Sequence, residues 1–258
     1  WGESTRYITP PVALGQTATS FTLLNSDILM VSSADGGSNF TPVPQILSLP
    51  NTGLATQSPS QNPALTIANG QLYIAWEDFP QPDTKILFRT FDINTSIFTP
   101  LLTIAGTPLS GPTQGSNRPS LAANGLNVYL LWEGFDPNAA VNPDSEIFFI
   151  RSTDGGTTFT NPTDPGSNLS NTTSSSNNGK LAVSDSDIFV IWEDNPSGLI
   201  GISFRSSTNS GANFNPTETL INTGGSLGNT TISASGGNLF AFWEDALLGN
   251  FEIFFLPR

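Results

Sequence analysis

Cysteine and histidine are both absent from the 258 residues, and methionine occurs once. Without cysteine there is neither a disulfide framework nor thiolate chemistry, so the core must hold together without covalent staples. Without histidine the chain loses Ser–His catalysis, most zinc and copper sites, and any unperturbed titration near neutral pH. Positive charge is scarce: 8 Lys and Arg face 21 Asp and Glu, a net charge of −13. A nucleic-acid backbone or an anionic membrane would be repelled over most of such a surface. No apolar run reaches the roughly 18 residues that span a bilayer. A chain that starts at Trp1 rather than Met reads as one whose leader has been removed, or as a trimmed one.

The chain is rich in turn formers, with 24 Gly and 20 Pro, and only 11% of its residues are charged. That balance favours strands and tight connections over helices, and the length suits one large all-β domain. Asn-x-Ser/Thr sequons begin at Asn39, Asn94, Asn168, Asn171 and Asn229. They fit a glycosylated surface and an extracellular or cell-surface setting.

An internal repeat organises the sequence. Trp76-Glu77-Asp78, Trp132-Glu133-Gly134, Trp192-Glu193-Asp194 and Trp243-Glu244-Asp245 are spaced by 56, 60 and 51 residues. Each follows a short apolar run, such as Leu72–Ala75 or Val128–Leu131, which reads as a buried strand. Asn69-Gly70 and Asn124-Gly125 precede two of these runs as hairpin signals, so a first strand pairs with the second. A third strand follows, ending at Arg89, Arg151, Arg205 and Arg258 in the four units. Identical positions in every unit suggest structural Arg and Trp residues rather than one converging catalytic set. In-blade Glu–Arg pairs are the expected partners.

The turn after the third strand carries the pattern Ser-x-Asp-x-Gly-x-x-Phe, from Ser33 to Phe40 with Asp35 and from Ser152 to Phe159 with Asp154. A third copy, Ser207 to Phe214, has Asn209 at the Asp position. The short polar side chain accepts backbone N–H bonds while Gly takes a conformation closed to other residues. This motif, with the Trp-Glu-Asp units, resembles the Asp-box, sialidase-like β-propeller family across nearly the whole chain. The resemblance implies a β-propeller of four-stranded antiparallel blades.

Tyr7-Ile8-Thr9-Pro10 matches the Phe-Thr-Pro sequence that follows the boxes. The N-terminal strand is therefore expected to complete the last blade, from its own chain or from a neighbour, removing exposed edges. One domain over residues 1–258 with five blades follows, in units near 11–50, 60–105, 117–170, 178–222, and 229–258 together with 4–10, four blades plus an extra hairpin being the alternative.

The resemblance also implies what a sialidase would need: three arginines gripping a carboxylate, a Tyr–Glu nucleophile pair and an acid/base. Tyr73 and Tyr129 lie within apolar strands, and only Arg118 stands outside the repeat pattern. The expected function is thus a non-catalytic propeller for binding or assembly, with a glycan, a protein or copies of itself as partner. Glycoside hydrolysis and an extracellular filament joined by N-terminal strand exchange are the alternatives. Stacking on sugar rings needs exposed aromatics, and the loop residues Phe79 and Phe135 are the candidates, whereas Trp76, Trp132, Trp192 and Trp243 read as packing. No cofactor or metal set is evident. Asp185–Asp187 and the stretch Asp136–Glu146 supply oxygen ligands for Ca²⁺ without the spacing of a defined calcium loop.

Overall fold

The computed structural model describes residues 27–42, 45–47, 59–79, 83–102, 108–111, 113–135, 144–195, 199–222, 227–236, 238–246 and 250–257. All regular structure among them is β. The first sheet pairs β1 (Leu29–Met30) with β2 (Gln45–Ile46), and the second runs β3 (Ser60–Ala68), β4 (Gln71–Asp78), β5 (Lys85–Asp92), β6 (Ile97–Phe98). The third holds β7 (Gln114–Asn124), β8 (Asn127–Phe135) and β9 (Ser145–Ser152), with Asn168 bridging Phe148 at its outer edge. The fourth holds β10 (Asn177–Ser184), β11 (Asp187–Asp194), β12 (Gly201–Ser207) and β13 (Glu218–Asn222). The fifth holds β14 (Leu227–Ser235), β15 (Asn238–Asp245) and β16 (Glu252–Pro257). Every pairing is antiparallel and in chain order, and the first strands β3, β7, β10 and β14 pack neighbour to neighbour. This is a β-propeller, each sheet a blade.

Strand periodicity explains how the blades stack. Successive side chains alternate between faces, so each second strand points its Trp at the preceding blade and the residues on either side of that Trp at the next. Trp132, Val128 and Leu130 join Tyr73, Ala75, Ile86 and Phe88 in one core, while Tyr129, Leu131 and Ile147 join Leu181, Val190 and Trp192 in another. Gly179 permits that approach: a Cβ there would lie 2.6 Å from Leu131 Cδ2 and 3.1 Å from Ile147 Cδ1.

The box turns have one geometry. Ser152 Oγ donates to Asp154 Oδ1 at 2.7 Å, and the same carboxylate accepts the N–H groups of Thr157 and Thr158. Asp35 takes Asn39 N–H at 2.9 Å and Asn209 takes Asn213 N–H at 3.0 Å, so the amide oxygen of Asn209 replaces the carboxylate. Hydrogen bonds from the Ser33 hydroxyl and from the side chain and N–H of Asn39 hold the exposed Asp35 carboxyl down at about 2. Two boxes also reach across to the preceding blade. Phe159 meets Phe88 edge-on at 5.1 Å, and Phe214 meets Phe149 likewise at 5.0 Å.

Two expectations are corrected. The third-strand arginines are not equivalent: Arg89 pairs with Ile74 and Arg205 with Val190, but Arg151 sits one residue further on, opposite Tyr129. One step along a strand reverses the face. Arg89 and Arg205 accordingly donate to Leu47 O and Leu169 O of the preceding blade, whereas Arg151 donates to Ser210 O of the next. In-blade Glu–Arg pairs do not form at these arginines, because repeated guanidiniums satisfy backbone carbonyls between blades. The expected N-terminal strand at residues 4–10, most of unit 11–50, Arg258 and Asp136–Asn142 lie outside the described residues. No helix among the described residues is long and apolar enough to cross a membrane.

Candidate functional site

The site grows from a repeated irregularity in the innermost strands. Register steps fall at Gln61/Ala64, Asn117/Ser120, Asn177/Lys180 and Gly228/Thr231. At each step a non-Gly residue takes positive φ: Asn62, Arg118, Asn178 and Asn229 at 50, 50, 53 and 47°. Asn tolerates that conformation, while for Arg it costs on the order of 1 kcal/mol. The Glu that follows each Trp faces this bulge. Glu77 accepts Asn62 Nδ2 at 2.8 Å and Gln61 Nε2 at 3.1 Å, and also Arg118 N–H of the next blade at 2.5 Å. Glu133 repeats the interblade bond, accepting Asn178 N–H at 2.5 Å, and takes Arg118 NH1 at 3.1 Å in an ion pair.

Between the second and third blades these groups line a polar pocket of about 420 Å³. Asn62, Glu77, Asn117, Arg118 and Glu133 contribute polar atoms, and Phe79 and Phe135 contribute two half-buried rings. Phe135 is fixed by a neighbour without a side chain: a Cβ at Gly115 would lie 2.6 Å from the ring. Gly115 is itself anchored by Asp83, whose carboxylate accepts its N–H at 2.6 Å and pairs with Lys85 at 2.7 Å.

The electrostatics are those of a partly desolvated charge cluster. Burial pushes the Glu133 carboxyl up, against the stabilising charges of Arg118 and Lys180 and the Asn178 N–H. Glu193, the corresponding acid one blade on, is also raised by burial. Lys180 is lowered by burial, with Glu133 and Glu193 opposing the shift. Glu193 keeps the hydrogen bond from the Asn side chain at its bulge, Asn178, but its Oε1 is buried with no hydrogen-bond partner.

Sequence reasoning separated Phe79 and Phe135 as surface aromatics, and the structure brings both to this pocket. It set Arg118 apart without giving it a place. It missed Gln61-Asn62-Pro63, Asn117-Arg118-Pro119 and Asn177-Asn178-Gly179, where a polar pair before Pro or Gly at the same place in three units was the available signal. Trp76, Trp132, Trp192 and Trp243 are buried against preceding blades. Tyr73 and Tyr129 are buried between blades. Among the sequons, Asn39, Asn94, Asn171 and Asn229 are exposed and Asn168 is half-buried. The amides of Asn39 and Asn229 donate to Asp35 and Glu244. Asp185 and Asp187 flank the β10–β11 turn, and among the described residues no group of three acidic side chains is placed to hold a metal ion. A second cavity, of about 400 Å³ near Arg151 and Arg205, offers weaker chemistry. Three nitrogens of Arg205 already donate to backbone carbonyls.

Fold and site together define a β-propeller with a polar, aromatic-lined pocket between its second and third blades. No family model matches the chain, and no curated protein matches it. Among solved structures it is similar to an endo-arabinase from Bacteroides thetaiotaomicron, at 17% identity and TM-score 0.50, over 91% of this chain and 87% of that one. It is also similar to an α-L-arabinanase from Penicillium chrysogenum solved with arabinobiose, at 13% identity and TM-score 0.50, covering 82% and 65% of the two chains. A protein of unknown function from Dyadobacter fermentans gives 15% identity and TM-score 0.57, over 78% of this chain and 66% of that one. At such identities the likeness is one of fold. These comparisons show the propeller fold and do not show the sialidase-like family that the box turns resemble.

Proposed function

We propose that the chain binds a carbohydrate, without cleaving it, in the pocket between its second and third blades. One observation carries the reading: the rings of Phe79 and Phe135 line the same pocket as Asn62, Glu77, Asn117, Arg118 and Glu133. A sugar offers an apolar C–H face to aromatic rings and an edge of hydroxyls to charged and amide groups. The acids argue against hydrolysis, since Glu77 and Glu133 each already accept an interblade N–H and side-chain donors. A glycosidase needs one carboxyl left to protonate the leaving oxygen and another to act on the opposite side. The arabinose-polymer enzymes sharing this fold make arabino-oligosaccharides the first ligands to try. An extracellular or cell-surface setting belongs to the same proposal, supported by the acidic composition and the exposed sequons. In calorimetric titration the chain should bind an arabino-oligosaccharide or another member of a glycan panel, and Phe135→Ala should weaken binding about tenfold or more, ~1.4 kcal/mol. Undiminished binding by Phe135→Ala and Phe79→Ala would refute this pocket.

Glycoside hydrolysis is a second reading, favoured by Glu193, whose carboxyl is raised by burial and whose Oε1 is buried with no hydrogen-bond partner. A raised carboxyl suits a general acid. Release of reducing sugar from arabinan, lost in Glu193→Gln, would establish it over simple binding.

A further inference from the structure

The four bulges of the innermost strands do one job with different residues. In the second, fourth and fifth blades the residue at positive φ is Asn62, Asn178 or Asn229, and its side-chain amide donates to the Glu of its own blade, Glu77, Glu193 or Glu244. In the third blade that residue is Arg118, at φ 50°, and its Nη1 donates to Glu133 in the same way. The backbone roles match too, since the N–H groups of Arg118 and Asn178 each reach the Glu of the preceding blade. An asparagine would therefore complete the third bulge with less backbone strain, because Asn tolerates positive φ better than Arg does.

What the arginine adds lies outside that job. A guanidinium carries five N–H donors in a rigid fork. Only Nη1 of Arg118 is engaged; among the described residues neither Nε nor Nη2 has a hydrogen-bond partner, and the side chain is 50% exposed. Arg205, by contrast, has all three nitrogens on backbone carbonyls. The acceptors of the pocket are largely in use: Glu77 takes Gln61, Asn62 and the Arg118 N–H, and Glu133 takes Arg118 and the Asn178 N–H. Its spare capacity is in donors, which call for ligand oxygens as acceptors. Charge is not spare, because Arg118 pairs with Glu133 and Lys180 is held by the fields of Glu133 and Glu193. Two cations beside the carboxyl groups of Glu77, Glu133 and Glu193 leave no positive surplus to hold an anion.

We infer that Arg118 is the specificity-determining residue of this pocket, the edge formed by its Nε and Nη2 donating to two adjacent hydroxyl oxygens of a neutral sugar whose apolar face lies on Phe79 and Phe135. The inference rests on the carbohydrate-binding reading above and adds which part of the sugar is recognised. Backbone strain kept in one copy of a repeated turn, where a relaxed residue would serve the fold, points to a role in binding. A site built to hydrogen-bond a hydroxyl discriminates strongly against the analogue that lacks it, because its donors are then left unpaired.

The test is calorimetric titration of the whole chain, Arg118→Asn and Arg118→Lys with arabinobiose, its singly deoxygenated analogues and the acidic disaccharide digalacturonate. The unaltered chain should bind arabinobiose about tenfold or more tightly than the analogues lacking either of two adjacent hydroxyls, and more tightly than digalacturonate. Arg118→Asn should bind arabinobiose and those analogues alike and weakly. Its melting temperature should be unchanged or raised, because its amide takes the place at Glu133 that Asn62 takes at Glu77. Arg118→Lys keeps a charge for Glu133 but has no fork, and should lose the discrimination as well. The inference is overturned by discrimination that survives either substitution, by preference for digalacturonate, or by an unaltered chain that does not bind arabinobiose. A lower melting temperature in Arg118→Asn also overturns it, by making the arginine a structural partner of Glu133. Binding that needs Phe135 but not Arg118 overturns this inference alone, whereas binding that needs neither removes the pocket with it.

Discussion

Two residues of one type at equivalent places in the third and fifth blades differ, one lying in a core and the other exposed. Ile147 and Ile253 are both isoleucines opposite the Glu of their blades. The first is enclosed with Tyr129, Leu131 and Trp192, and the second is open. Hydrophobic stabilisation scales with apolar area removed from water, so residue type and strand position alone do not fix what a side chain contributes. The comparison shows that a propeller blade is half of two interfaces and gains stability only where a neighbour supplies the other half.

The largest expected effect sharpens that contrast. In chemical denaturation Ile147→Ala should cost about 2–5 kcal/mol, as for a buried aliphatic truncation, and Ile253→Ala about 0.5 kcal/mol or less in the dilute chain. Equal losses would break the comparison. Gly179→Val should cost about 1–3 kcal/mol, because its side chain meets the tips of Leu131 and Ile147, which are both fully buried.

A pH effect should follow at the same closed interface. Glu146 is buried on β9, accepts Ser170 Oγ and the Thr172 N–H, and lies near Asp194, with its carboxyl pushed up to about 7 by burial. A carboxyl raised on folding favours the protonated native state, so its contribution is full below the ordinary carboxylate range and is lost as pH rises through about 7. Melting temperature should therefore fall between mildly acidic and mildly alkaline buffer, and Glu146→Gln should flatten that slope. A slope unchanged in Glu146→Gln would remove this acid as its cause.

The smallest effect compares two boxes. Asp154→Ala should lower the melting temperature more than Asp35→Ala, although both carboxylates make the same turn bonds. The difference lies beneath: Phe159 is seated on Phe88, so loosening its turn disturbs a packed interface, while Phe40 is exposed. Equal shifts would mean that the turn acts alone.

Much of the architecture was legible because it is local and repeated. Alternating apolar runs, the Asn69-Gly70 turn and the box sequence each place backbone hydrogen bonds within a few residues, and four copies reinforce one another. Part of the site was legible too, since Phe79 and Phe135 follow the Trp-Glu-Asp and Trp-Glu-Gly runs as isolated aromatics, although Phe135 ends β8 rather than standing in a loop. Arg118 was visible only as an exception. Its place depends on a bulge that turns its N–H to Glu77 and its guanidinium to Glu133, residues 41 and 15 positions away. Arg151 turns to the opposite face for a related reason: its one-residue shift relative to Arg89 shows only in the strand pairing.

The sequence by itself determined that this is an all-β chain of stacked repeats without thiol or imidazole chemistry, because composition and short-range periodicity govern those properties. The tertiary structure alone decided which carboxylates meet which bulges, which arginines staple one blade to the next, and which of several like isoleucines is buried. Those outcomes depend on the face each residue turns and on whether a neighbouring blade arrives to cover it, and both are settled by pairing and packing between distant segments.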